Sequence, residues 1–245
     1  MPGTWNGILS TVRSEPLMLP GLGWPVELRV HPRARSLRLR LDEARGVLAL
    51  TCPRRTSRRA ALDWAAGQGG WVEAQLARIA PAEPFAAGTA IPFEGAEIML
   101  HWEEALPRGP ALTEGRLQCG GSAQSFSGRV ERFLRREARD RLSKLTRQIA
   151  HDAGLSVRSV AVGDASSRWG SCSSSGAIRY NWRLVLAPLH LSRWVVAHEV
   201  AHLRHMNHGP AFKALEAELY GADPRPARAE LRALGPRLKR VGRPL

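Results

Sequence analysis

The chain has 245 residues, of which 44% are hydrophobic and 24% charged, with a formal net charge of +14. That is ordinary globular material, enough for one large domain or two small ones, and it excludes a disordered or fibrous chain. No stretch reaches the ~18 consecutive apolar residues of a membrane span, and the first 25 residues lack a basic region followed by a long apolar run, so a cytoplasmic protein with no membrane partner is expected.

The surplus of positive charge points to nucleic acid as a partner. Only Lys144, Lys213 and Lys239 of the 36 basic residues are lysine, however, and a compositional bias toward arginine explains that as well. Cys52, Cys119 and Cys172 are odd in number and far apart, so they form neither a disulfide framework nor a CxxC zinc site, which fits a reducing compartment.

In chain order, residues 1–25 are rich in Pro and Gly and read as a loose leader. From Val26 three short alternating runs follow: Val26-Leu28-Val30, Leu37-Leu39-Leu41 and Val47–Leu50. Turn signals at His31-Pro32 and Arg45-Gly46 separate them, so a small antiparallel meander is expected. Residues 57–79 read as one helix, or as two weakened at Gln68-Gly69-Gly70. "AIPFEGAEIMLHW" and "GRLQCGG" read as further strands. A long amphipathic helix is expected over about 127–153, with Val130, Phe133, Leu134, Ala138, Leu142, Leu145 and Ile149 on its apolar stripe. A strand, a Gly/Ser loop and a second strand over about 177–186 follow. Pro188 precedes a helix with Ser192 as a candidate cap, a last helix covers about 210–220, and a basic tail ends the chain.

The helix after Pro188 carries the chemistry. Of the 8 histidines, four (His198, His202, His205, His208) fall within eleven residues. His198-Glu199-Val200-Ala201-His202 is an H-E-x-x-H pattern. Residues four apart share a helix face, so both imidazoles offer nitrogen to one ion, and neutral imidazole suits Zn2+. Glu199 then lies on the adjoining face, where its carboxylate can serve as general base for water. Trp194, Val195, Val196, Ala197, Val200, Ala201 and Leu203 make the helix apolar nearly all round. Two histidines and a glutamate buried there without a partner would cost several kcal/mol. A metal removes that cost. His208, six residues after His202, is the expected third ligand; Glu216 or Glu218 on the next helix, and His205, are the alternatives.

The block "SSRWGSCSSSGAIRYNWRLVLAPLHLSRWVVAHEVAHLRHMNHGPAF" resembles the YgjP-like metallopeptidase domain and, more distantly, the SprT-like (Spartan) proteases. The matching pieces are Arg168–Cys172, Asn181–Leu184, His198–His202, Asn207-His208 and Phe212, with Trp71 and "VHPRARSLRLRLDEARGVLALTCPRR" earlier. The resemblance covers roughly residues 26–220. It implies a zincin-like catalytic half with one Zn2+ on His198, His202 and His208, Glu199 as acid/base, and a peptide or protein substrate. Gly209-Pro210 departs from the family pattern of Ser followed by a helix former.

Around this core, Arg168, Tyr180 and Arg183 are candidates to stabilise an oxyanion, with His205 at the pocket rim. The strand over about 178–186 is a candidate edge for pairing with a peptide. Trp169 and Trp182 read as packing under the metal helix, and Cys172 as a small buried residue, since a catalytic zinc needs an open position. The expected fold is α+β: a flexible leader (1–25), a small N-terminal antiparallel β-rich region with helix (26–125), a zincin-like catalytic domain (126–220) and a basic tail (221–245). Two rivals to a zinc peptidase stay open. One is a zinc-dependent nucleotide or phosphoanhydride hydrolase, suggested by Arg168, Arg179, Arg183, Arg193 and Arg204. The other is a nucleic-acid-binding module, or a DNA-coupled protease, using the basic surface and tail.

Overall fold

The structure, a computed structural model, describes residues 15–42, 45–77, 79 and 81–243. It is a mixed α+β fold of three small sheets and six helices among the described residues. Two compact units divide the chain, one through Ile79 and the other from Ala80 onward. No helix among the described residues is long and apolar enough to cross a membrane.

The first unit contains β1 (Val26–His31), β2 (Arg38–Asp42), β3 (Val47–Pro53), α1 (Arg58–Ala66) and α2 (Gly69–Leu76). The expected antiparallel meander is corrected here. The order is β1-β3-β2, with β1 parallel and β2 antiparallel to β3. β3 buries Val47, Leu48, Leu50 and Cys52, so the most apolar strand takes the centre, while Arg38 and Arg40 leave β2 as an exposed edge. The helical stretch is two helices, broken at Gly67-Gln68. The last part of the expected loose leader is anchored, because Leu22 is buried in this unit's core and Leu17 bridges to Val26; residues 1–14 lie outside the described ones.

The second unit opens with a four-stranded sheet of β4 (Ala90–Phe93), β5 (Ala96–Trp102), β6 (Ala111–Thr113) and β7 (Arg116–Cys119), ordered β4-β5-β7-β6. Its two hairpins share one device. Glu94-Gly95 and Glu114-Gly115 all have positive φ (51°, 85°, 49° and 74°), as a two-residue type I′ turn requires. Helix α3 (Phe126–Asp152) is 27 residues long and buries the expected stripe of Val130, Phe133, Leu134, Ala138, Leu142 and Ile149.

A three-stranded sheet follows, of β8 (Ser159–Gly163), β9 (Gly170–Cys172) and β10 (Ala177–Asn181), ordered β8-β10-β9. The strand expected over about 178–186 is shorter: Trp182–Leu186 form a 3-10 turn capped by the Asn181 side chain, which accepts from the Arg183 N–H at 2.9 Å. β10 is also central rather than an edge, so β9 carries the free edge on that side.

Helix α4 (Leu189–Ala201) starts directly after Pro188, so Ser192 is not its cap. Ser192 sits inside the first turn and donates to the Leu184 carbonyl at 2.7 Å. α5 (Pro210–Tyr220) ends at Gly221 in the left-handed conformation. Residues 224–238, read from sequence as tail, form α6 (Pro224–Leu238), whose Ala227, Leu231 and Leu238 join the core of this unit. Apolar residues at helical spacing there bury a face that the basic composition conceals.

Candidate metal centre

α4 is buried on nearly every side, including Trp194, Val195, Val196, Ala197, Val200 and Ala201. That burial fixes its rotation, and its last turns present His198 and His202 together. The chain then leaves the helix, turns through Asn207–Gly209 and re-enters α5 at Pro210. Proline is suited to that first helical position because its fixed φ and missing N–H cost nothing there. The departure at Gly209-Pro210 therefore starts a helix and leaves His208 beside the other two imidazoles.

Ligand atoms of His198, His202 and His208 all lie within 4.8 Å of one another. Nε2 of His198 and Nε2 of His208 are 3.3 Å apart, and the ring of Phe212 packs 4.6–5.0 Å from all three imidazole centroids. Nδ1 of His198 is 2.8 Å from Oε1 of Glu216, and Nδ1 of His202 is 3.0 Å from the His205 carbonyl. A carboxylate and a carbonyl can only accept, so both Nδ1 atoms carry the proton and both Nε2 lone pairs stay open. Burial holds the His202 ring neutral by lowering its pKa. Three imidazoles at this spacing are a donor set for a borderline-soft divalent ion.

Glu216 is 3% exposed and also accepts from the Trp194 indole N–H at 3.0 Å, with Arg228 3.8 Å away. Weighed from sequence as an alternative ligand, it is instead the hydrogen-bond partner of His198. Glu218, the other alternative, is exposed on the surface near Asp152 and Arg193. His205 contributes its carbonyl to His202, and its ring is outside the histidine group.

Glu199 is 5% exposed. Burial pushes its carboxyl up to about 7, against the opposing pull of His198 and Arg168. Gly170 on β9 lies against it so closely that a methyl group there would overlap the carboxylate. Gly170 lies in the Arg168–Cys172 piece of the resemblance, but neither its contact with Glu199 nor the Glu216–His198 pair was read from sequence. The first needed the packing of β9 on α4, and the second joins residues 18 positions apart.

The oxyanion candidates separate. The Arg183 side chain is 2% exposed and donates to Asp164 and to the Val241 carbonyl. The Thr146 hydroxyl donates to the Leu142 carbonyl at 2.6 Å, so the Tyr180 hydroxyl at 2.9 Å donates to Thr146 and its proton is committed. Arg168 is exposed and acts electrostatically on Glu199. Cys172 is half-buried, its thiol pushed up to about 11 by burial and by Glu199. Trp182 is fully buried, and Trp169 packs against the same core.

Comparison with curated proteins and with solved structures gave no match. Against protein families, residues 35–233 match the one described as YgjP-like, metallopeptidase domain. The match spans most of the chain and includes every residue of the histidine group, so the chain belongs to the YgjP-like metallopeptidase domain family.

Proposed function

We propose that the chain is a zinc peptidase of the H-E-x-x-H type, holding one Zn2+ on His198, His202 and His208. The observation that carries this reading is the convergence of three imidazoles beside a buried glutamate of raised pKa. When bound, the ion supplies Lewis acidity, polarising a carbonyl and making water acidic enough to ionise near neutral pH.

Glu199 takes the proton of the attacking water and delivers it to the leaving amine. A carboxyl that titrates near 7 suits both halves of that transfer. Glu216 holds the His198 ring in the tautomer that presents Nε2. The free edge of β9 is the place for an extended peptide to pair, in place of β10. Arg168 and His205 are the remaining candidates beside the developing oxyanion. The free thiols of Cys52, Cys119 and Cys172 support a reducing compartment such as the cytoplasm.

The test is turnover of unfolded protein substrate by zinc-loaded wild type and by Glu199→Gln, with zinc content measured in both. The variant is expected to keep its zinc and lose at least ~100-fold in rate. Full activity in the variant would remove Glu199 from the mechanism. Zinc-loaded wild type that cleaves no peptide but hydrolyses nucleotides in a Glu199-dependent way would replace the peptidase reading with a phosphoanhydride hydrolase.

A further inference from the structure

The sheet of the first unit buries one face on α1 and α2, and no described helix or strand covers the other. On that second face the strand register sets two cross-sheet rows. Arg29 on β1 pairs with Thr51 on β3, which pairs with Arg38 on β2; Glu27, Ala49 and Arg40 form the next row. Because β3 is central and carries small residues at both positions, the middle of the face is low and its two edges are high. The result is a groove of about 370 Å3, floored by Ala49 and Thr51.

Charge in this groove is unbalanced. Four guanidiniums line it against two carboxylates, Glu27 and Asp42. Both carboxylates are engaged, Glu27 by Arg45 at 2.5 Å and Asp42 by Arg40 at 3.7 Å. Arg29 and Arg38 have no ion pair among the described residues, and the Nε–H of Arg29 is buried without a hydrogen-bond partner. A desolvated guanidinium N–H left unpaired is costly, and a ligand oxygen removes that cost. Arg29 and Arg38 stand on opposite edge strands, about 10 Å apart at the backbone. Arginine side chains are long enough to close that span over Thr51, whose hydroxyl is a third donor.

We infer that this groove is an anion site for a phosphate group, held between Arg29 and Arg38 over Thr51. Two guanidiniums with no ion pair among the described residues match the charge of a phosphate dianion, and their forked donors suit its oxygens. The site is independent of the metal centre and of the peptidase reading.

Calorimetric titration of the full chain at low ionic strength tests it, with inorganic pyrophosphate, a 5′-mononucleotide and a short single-stranded oligonucleotide as probes. Pyrophosphate is expected to bind, and Arg29→Ala and Arg38→Gln each to weaken it about tenfold, as loss of a charge-assisted hydrogen bond does. Arg38 lies on an exposed edge strand, so its variant reports on the site even if Arg29→Ala fails to fold. Arg33→Ala removes the same charge from an exposed turn outside the groove and is expected to change affinity less than twofold. Equal losses for the mononucleotide identify a small phosphate compound as ligand. Losses for the oligonucleotide together with a much tighter wild-type affinity identify a nucleic-acid backbone. No binding of any probe, or an equal loss in Arg33→Ala, overturns the site.

Discussion

Glu199 illustrates how a residue's surroundings become a stability term. Its carboxyl is raised from the ordinary value of 4.5 to about 7, chiefly by burial. Below 4.5 both folded and unfolded chains hold the proton, and no penalty arises. Between 4.5 and about 7 the unfolded chain ionises while the metal-free fold keeps its proton, so stability falls as pH rises; above 7 the loss is complete, at about 3 kcal/mol. Metal-free Glu199→Gln is therefore expected to melt with wild type at pH 4.5 and clearly above it at pH 8. A gap that does not change with pH would show that burial of the charge is not its origin. Glu216 holds the Nδ1 side of His198. Glu216→Ala is expected to weaken zinc 10- to 100-fold in a chelator competition, with Glu216→Gln between it and wild type because an amide oxygen still accepts from Nδ1. Affinity unchanged in Glu216→Ala would reduce the contact with His198 to packing. The pairing of His198 and His202 was legible in sequence because local helix geometry dictates it, and His208 because it follows the helix within reach of the same point. Glu216 as a partner and Gly170 as a neighbour were not, because each requires a second element to arrive.

At the scale of elements, long stripes and tight turns read well from sequence, while pairing partners did not. α3 and α5 fall almost where periodicity places them, since the apolar face is written in a local repeat. β1 and β3 pair in parallel because the apolar β3 competes for the central place, and alternation within one strand says nothing about that contest. Both hairpins of the four-stranded sheet were missed, since "AIPFEGAEIMLHW" read as one strand and β6 as loop, although Glu94-Gly95 and Glu114-Gly115 mark both turns. The two turns offer a controlled comparison. At Gly115 a methyl group meets open space, whereas at Gly95 it comes 3.0 Å from the Pro188 Cα. Both alanine variants carry the backbone strain of positive φ, about 1–2 kcal/mol. Gly95→Ala is expected to cost more, because Pro188 begins the turn into α4. Urea unfolding of the two variants measures the difference, and equal losses would mean that Pro188 yields freely.

For the whole molecule, the largest revision concerns residues 221–245. Their composition reads as a solvated basic tail, yet Ala227, Leu231, Leu238 and Val241 are core, and Val241 supplies the carbonyl that accepts from buried Arg183. A chain truncated after residue 220 is expected to lose cooperative unfolding in calorimetry, as a buried guanidinium N–H stripped of its acceptor and an uncovered apolar face together exceed several kcal/mol. A truncated chain that melts as sharply as wild type would show that α6 is dispensable. Deletion of this segment thus cannot serve as a clean probe of nucleic-acid binding; single arginine substitutions can.

Near its two limits the second unit also meets itself. Glu83 forms a parallel bridge with Val241, accepts from the Gly242 N–H at 2.8 Å and holds Arg237 at 2.8 Å. A polypeptide whose entry and exit lie side by side is nearly a ring. It can be spliced into a host loop, or joined end to end by a short linker and reopened at the exposed turn around Arg108-Gly109, without displacing a core residue. For the second unit, the order in which its segments are threaded is therefore a matter of history more than of architecture.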